Sequence, residues 1–167
     1  RSVKHLTFTD HLEYNPDGFS LNCEVYIKTI MKFKEKYKKS IDILAGVEVG
    51  YQSHLKEEIE NILASNPFDF VLCSTHSVDE ISVSGPKYFK GLSKKEAYTK
   101  YFETMLKTVK EFKNFDSYGH LDYIIRYGGY EESKVIYKDY KYVLDSILET
   151  IIASGNGIEI NTSGYRY

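Results

Sequence analysis

The chain has no excess of charge of either sign. Its 22 lysines and arginines stand against 24 aspartates and glutamates, a formal net charge of −2. This argues against a polyanionic partner and against an acidic tail, so no nucleic-acid partner is expected. No apolar run approaches the length of a membrane span, and no secretory leader is visible, so no membrane partner is expected either. Cysteine is scarce: Cys23 and Cys73 are far apart and form no Cys-x-x-Cys motif. They read as reduced thiols of a cytoplasmic protein, packed as small hydrophobes. Internal repeats, low-complexity stretches and interdomain linkers are also lacking. At 167 residues the chain is long enough for one domain with its own core. Nothing in it signals an oligomeric state.

What is present is an alternation of short β-rich runs with longer segments of helical period. A first strand at Leu6–Phe8 leads through a turn at Asn15-Pro16-Asp17-Gly18. A helix over Asn22–Lys39 follows, with Tyr26, Ile30, Phe33 and Tyr37 on one face. A strand at Ile43–Val49 precedes a short helix capped by Ser53, whose apolar face is Leu55, Ile59, Ile62 and Leu63. Asn66-Pro67 ends that helix, and a strand runs over Phe68–Leu72. The loop Val78–Leu92 is long for an α/β unit and therefore a functional candidate. Ser93-Lys94-Lys95-Glu96 is a capping box opening a helix to about Lys113. A strand at Tyr118–Tyr123 and a helix over Glu132–Ser154, stopped by Gly155, lead to a last strand at Gly157–Ile160.

This βαβ order predicts parallel strands with right-handed crossovers. An open doubly wound sheet gathers its ligands at one switch point. Here every strand carries a polar residue at its end, which favours a barrel. Five strands do not close the usual barrel. The chain also starts at Arg1 almost on a strand and stops at Tyr167 just after another, with no closing helix. The expectation is a single domain over 1–167, an incomplete barrel truncated at both ends.

The strand ends hold the candidate chemistry. Glu48 lies inside the apolar run Val47–Val49, where a carboxylate is costly unless satisfied. His76 follows Phe68, Phe70, Leu72 and Ser74 in alternation and shares their face. His120 is framed by Gly119, which permits close backbone approach, and by Asp122, which points the same way and is a candidate to orient it. His11 follows Asp10 at the end of the first strand. Taken singly, each also fits a core or surface role. Four candidates on consecutive strand ends point to a shared cation site, and histidines with one carboxylate suit zinc, iron or manganese better than calcium or magnesium. A carboxylate such as Glu48 can bridge two ions, a pair suited to phosphate-ester hydrolysis. Arg126 and Arg166 follow two of the polar strand ends and suit bidentate phosphate binding, or equally a solvated loop. His5 opens a strand at the wrong end and His54 opens a helix; both read as structural or exposed. The run Lys28–Lys39 reads as a solvated helix face.

In order along the chain, Thr9-Asp10-His11, Val47-Glu48-Val49-Gly50-Tyr51, Ser74-Thr75-His76, Gly119-His120-Leu121-Asp122 and Glu159-Ile160-Asn161-Thr162-Ser163-Gly164 resemble the internal motifs of the polymerase-and-histidinol-phosphatase (PHP) superfamily. Phe8-Thr9-Asp10-His11, His120 to Tyr127 and the ending Gly164-Tyr165-Arg166 are most similar to its histidinol-phosphatase branch. The resemblance implies a distorted (β/α)7 barrel with a trinuclear metal site at the strand C-terminal ends. It also implies hydrolysis of L-histidinol phosphate, a small phosphate monoester, to L-histidinol and phosphate in histidine biosynthesis. Carried over by position, Glu48 matches the bridging carboxylate, and His76 and His120 match the other ligands of one ion. His11 matches a ligand of a separate ion, and Arg126 and Arg166 match residues holding the substrate phosphate. Asp10 matches a site aspartate that either orients a ligand or transfers a proton, and it stands as the catalytic candidate. The family's opening His-x-His, a further histidine shortly after it and the closing Asp-x-His are not in this sequence. A full protein ligand set remains for one ion only, so the expectation is a phosphatase parent and an inactive or weak fragment. Two other readings stay open: a PHP phosphoesterase acting on nucleotides or nucleic-acid ends, and a non-catalytic PHP-like domain that binds a metal or a partner.

Overall fold

The computed structural model describes residues 3–15 and 18–162. Five strands, β1 (His5–Leu12), β2 (Asp42–Gly50), β3 (Phe70–Ser74), β4 (Ser117–Tyr118) and β5 (Gly157–Ile158), form one parallel sheet in strictly sequential order. A doubly wound sheet reverses its order at a switch point. Monotonic order with a helix after each of the first four strands is instead the wall of a barrel. The helices between strands are α1 (Cys23–Tyr37), α2 (Lys56–Ser65), α3 (Lys94–Glu111) and α4 (Tyr137–Ala153). Among the described residues, no helix is long and apolar enough to cross a membrane.

The period-2 alternation of β2 divides the two faces of the sheet. Ile43, Ala45, Val47 and Val49 are buried against the helices. The main core joins Val47, Val49, Val71, Cys73 and Tyr118 of the sheet to Ile59, Phe102, Met105, Val109, Ile147 and Ile151 of α2, α3 and α4. Each such fully buried aliphatic side chain contributes roughly 1.5–3 kcal/mol. This one-sided core leaves the opposite face free for polar groups.

Several element bounds depart from the sequence expectation, each for a local reason. β1 extends to Leu12, so His11 ends inside the strand and pairs in register with Glu48. The strand expected over Tyr118–Tyr123 stops at Tyr118: the Gly119 N–H still donates to Cys73 O, but His120 N–H turns to the Glu159 carboxylate and Tyr123–Arg126 winds into a 3-10 turn. α4 begins at Tyr137 rather than Glu132. The carbonyls just before it are used elsewhere, Ser133 O by the Tyr98 hydroxyl and Lys134 O by Lys94 Nζ. Ser53 caps no helix; it opens a 3-10 turn and its hydroxyl donates to Glu111. The segment after His76 is not a plain loop. It carries an antiparallel hairpin of Ser77–Val78 with Ile81–Ser82, and a helical turn at Pro86–Phe89. The turn expected at 15–18 has antiparallel flanks, Tyr14–Asn15 with Gly18–Phe19, while Pro16 and Asp17 lie outside the described residues.

Two helix ends form as the sequence indicates. Ser93 Oγ accepts from Glu96 N–H while the Glu96 carboxylate accepts from Ser93 N–H, a reciprocal capping box. At the end of α4, Gly155 at φ +74° lets its N–H reach Ile152 O and the Asn156 N–H reach Ile151 O, the two bonds of a Schellman motif. Replacing Ser93 by alanine is expected to destabilise the chain by about 1 kcal/mol in urea unfolding. An unchanged midpoint would show that the box contributes nothing.

Candidate active site

Register builds the site. The pairing of His11 with Glu48, and of Gly50 with Ser74, brings three strand ends to one edge of the polar face. Glu48 is 7% exposed, with Ser74 Oγ donating to its Oε1 at 2.8 Å. His76 Nε2 and His120 Nε2 lie 3.3 and 3.5 Å from the same oxygen and 2.9 Å from each other. His11 Nε2 lies 3.6 Å from the other oxygen, Glu48 Oε2. The three imidazoles form a row, His11 on His76 and His76 on His120, with ring centroids 5.2 Å apart in both steps. Gly119 passes so close that a Cβ there would meet Ser74 Oγ at 2.6 Å, the close approach its sequence position suggests.

The donor set fits a cation. Glu48, His76 and His120, all buried, offer ligand atoms within 4.8 Å of one another. Two imidazole nitrogens that aim at one carboxylate oxygen and at each other must share either a proton or a positive ion. A second group, His11, Glu13 and His76, meets the same distance limit. Nitrogen donors with a carboxylate suit zinc, iron or manganese rather than calcium or magnesium.

Outer carboxylates back the rings. Glu159 Oε2 accepts from both the backbone N–H and Nδ1 of His120, the latter at 3.0 Å. Asp122 therefore does not orient His120; it is exposed at the start of the 3-10 turn, and Glu159 from the neighbouring strand end takes that place. Glu13 Oε1 lies 3.1 Å from His11 Nδ1 and 2.5 Å from His76 Nδ1. Burial would raise the Glu13 carboxyl, but the bonds from His11 and His76 outweigh it and hold it at about 2. The bond to Glu13 raises His11, against the effect of burial. Burial lowers His120 despite the nearby Glu48 and Glu159, which favours the neutral imidazole that a cation needs. Burial opposes ionisation of Glu159, and its bonds from His120 more than compensate, leaving it lowered.

Of the residues singled out in the sequence, the structure gathers His11, Glu48, His76 and His120. It does not gather Asp10, which alternates with His11 and so leaves β1 on the other face, exposed. Arg126 stands at the rim: its guanidinium lies 5.4 Å from the Tyr123 ring, which packs on His76 and His120 at 4.7 and 5.1 Å. Arg166 lies outside the described residues. His5 and His54 are exposed, His5 at the far end of β1. Glu13 lies in none of the motifs, and Glu159 opens the last of them without having been given a role. The signal for Glu13 was its i, i+2 spacing from His11 in an extended segment, and for Glu159 an acid in the last apolar run.

The fold and this cluster define a class, and comparison with known proteins names it. The PHP domain model matches residues 1–163, and the chain belongs to that family. It is 34% identical over 163 residues to the histidinol-phosphatase of Lactococcus lactis, covering 96% of this chain and 61% of that protein. It is 31% identical over 160 residues to a probable histidinol-phosphatase of Clostridium acetobutylicum, covering 94% of this chain and again 61% of the relative. The chain thus spans about three fifths of the length of these two relatives. The crystal structure of the Lactococcus lactis histidinol phosphate phosphatase, complexed with zinc, L-histidinol and phosphate, superposes with a TM-score of 0.93 at 33% identity, over 98% of this chain and 64% of that one. The putative histidinol phosphatase of Listeria monocytogenes shares the fold, with a TM-score of 0.75 at 15% identity over 96% of this chain and 72% of that one.

The Glu13 shifts carry a pH signature in the metal-free chain. A carboxyl held at about 2 against an ordinary 4.5 stabilises the fold above about pH 4.5, and that contribution is lost as pH falls towards 2. An imidazole raised above 6.5 stabilises below that value and loses its contribution as pH rises through the folded pKa. The stability difference between wild type and Glu13→Gln should therefore peak between pH 4.5 and 6.5, at about 2 kcal/mol. Denaturant melts across pH 2.5–8.5 measure it; a flat difference would show that Glu13 is not held by its histidines.

Proposed function

We propose that this chain carries part of the centre of a metal-dependent phosphatase that hydrolyses L-histidinol phosphate to L-histidinol and phosphate. The observation that carries this reading is the convergence of Glu48, His76 and His120 on one point. The similarity to a histidinol-phosphatase at 34% identity supports the choice of substrate. In this reading Glu48, His76 and His120 hold one divalent cation, and His11, from the other side of Glu48, serves a second. Bound there, zinc, iron or manganese supplies Lewis-acid polarisation of the ester and acidifies the attacking water.

The chain's own residues do the rest. Glu48 turns one oxygen to the His76–His120 side and the other to His11, a bridging posture. Arg126, at the rim, binds the substrate phosphate through a guanidinium suited to its paired oxygens; Arg166 is proposed for the same task. Tyr123 covers the two buried imidazoles and keeps bulk water from that side. Asp10, on the other face of β1, enters this reading only as support behind His11. The partner is a small phosphate monoester, and with a net charge of −2 no nucleic acid is expected. The two free thiols, Cys23 and Cys73, accord with a cytoplasmic setting in histidine biosynthesis.

The test is metal content together with phosphate release. Wild type should carry zinc, manganese or iron after purification and dialysis, and Glu48→Ala should lose it. Phosphate should be released from L-histidinol phosphate in preference to a nucleoside monophosphate, with the rate falling at least ~100-fold in Glu48→Ala and KM rising in Arg126→Ala. Among the described residues the ligands matched to the family are complete for one ion, that of Glu48, His76 and His120, so the rate of residues 1–167 is expected to lie well below that of a full-length relative. Equal metal in wild type and Glu48→Ala would refute the ligand set; preference for the nucleotide would refute the substrate.

A further inference from the structure

We propose that Glu13 is a positioning residue shared by two cation positions: one carboxylate oxygen clamps Nδ1 of both His11 and His76, so that both rings turn Nε2 towards opposite oxygens of Glu48. This rests on the metal-dependent reading above and goes beyond it, because it gives a role to a residue outside the proposed ligand set. Glu13 Oε1 meets His11 Nδ1 at 3.1 Å and His76 Nδ1 at 2.5 Å. A carboxylate oxygen only accepts, so both Nδ1 atoms carry the proton and both Nε2 atoms keep a free lone pair. Those Nε2 atoms lie 3.6 Å from Glu48 Oε2 and 3.3 Å from Glu48 Oε1. Each imidazole is thus held between an inner and an outer carboxylate, the arrangement that fixes ring orientation and tautomer around a metal ion. Glu159 performs the same task for His120 alone.

An independent feature shows that the position is built. A Cβ on Gly50 would lie 2.0 Å from Glu13 Oε2 and 2.5 Å from Glu13 Cδ, so the carboxylate occupies the space a side chain at 50 would take. The backbone is pinned as well. Glu13 N–H donates to Ser20 Oγ, that hydroxyl donates to His11 O, and Ser20 N–H donates to Glu13 O. Gly50 and Ser20 therefore seat the carboxylate, and the carboxylate seats two rings.

The experiment uses two readouts that do not depend on turnover: zinc affinity by competition with a chromophoric chelator, and imidazole 15N shifts of the metal-free chain above the imidazole pKa range. Glu13→Ala should weaken zinc binding about 10–100-fold and shift the tautomer balance of both His11 and His76, leaving His120 unchanged. Gly50→Ala, which evicts the carboxylate without removing it, should reproduce both effects. Glu13→Gln, whose amide oxygen still accepts, should restore the tautomers. Glu159→Ala should move His120 alone. If Gly50→Ala fails to fold, as judged by near-UV circular dichroism, the two Glu13 variants decide. The shared clamp is overturned if Glu13→Ala binds zinc like wild type, or if only one of the two imidazoles responds; the functional reading then still stands. Wild type that takes up no zinc overturns both.

Discussion

The buried Glu48 carboxylate is the constraint around which the rest of the molecule is arranged. A lone ionised carboxylate in that position costs several kcal/mol. Here one hydroxyl donates to it and three imidazoles surround it. Those rings in turn are turned inward by Glu13 and Glu159. The polar cluster is therefore not an independent source of stability. The apolar packing of α2, α3 and α4 on the opposite face of the sheet offsets its cost, and the rigidity of that packing holds the cluster in place.

Parallel register converts this energetic arrangement into a site. Equivalent ends of parallel strands lie on one edge, so a polar residue placed late in each strand meets its counterparts without further design. Two glycines then set the depth of the cluster. Gly119 lets β4 close on Ser74, and Gly50 leaves room for the Glu13 carboxylate. Side chains at either position would push apart groups that must sit within hydrogen-bond distance. A metal-dependent phosphatase reading follows from the electrostatics of the assembled cluster and from family membership together.

Legibility differed between parts of the chain. The capping box at Ser93 and the stop at Gly155 were readable because both are local, set by residues within one helical turn. The start of α4 was not readable: the carbonyls before it are claimed by Tyr98 and Lys94, about 35–40 residues earlier in the chain. Tyr118–Tyr123 reads as a strand, yet pairing ends where His120 N–H finds Glu159. Glu48, His76 and His120 stood out as polar residues in apolar runs. Asp10 stood out for the same reason, and the pleat turned it to the other face.

By itself the sequence determined the alternation of strand and helix, the parallel topology that follows from it, and the residue types at each strand end. These rest on periodicity and short-range steric preference, which act between neighbours in the chain. Only the tertiary structure decided which of those residues meet, that Glu159 rather than Asp122 supports His120, and that Glu13 reaches two histidines 2 and 63 residues away. Such contacts depend on strand register and on the space left at Gly50 and Gly119, distances that exist only once separate segments have packed against one another.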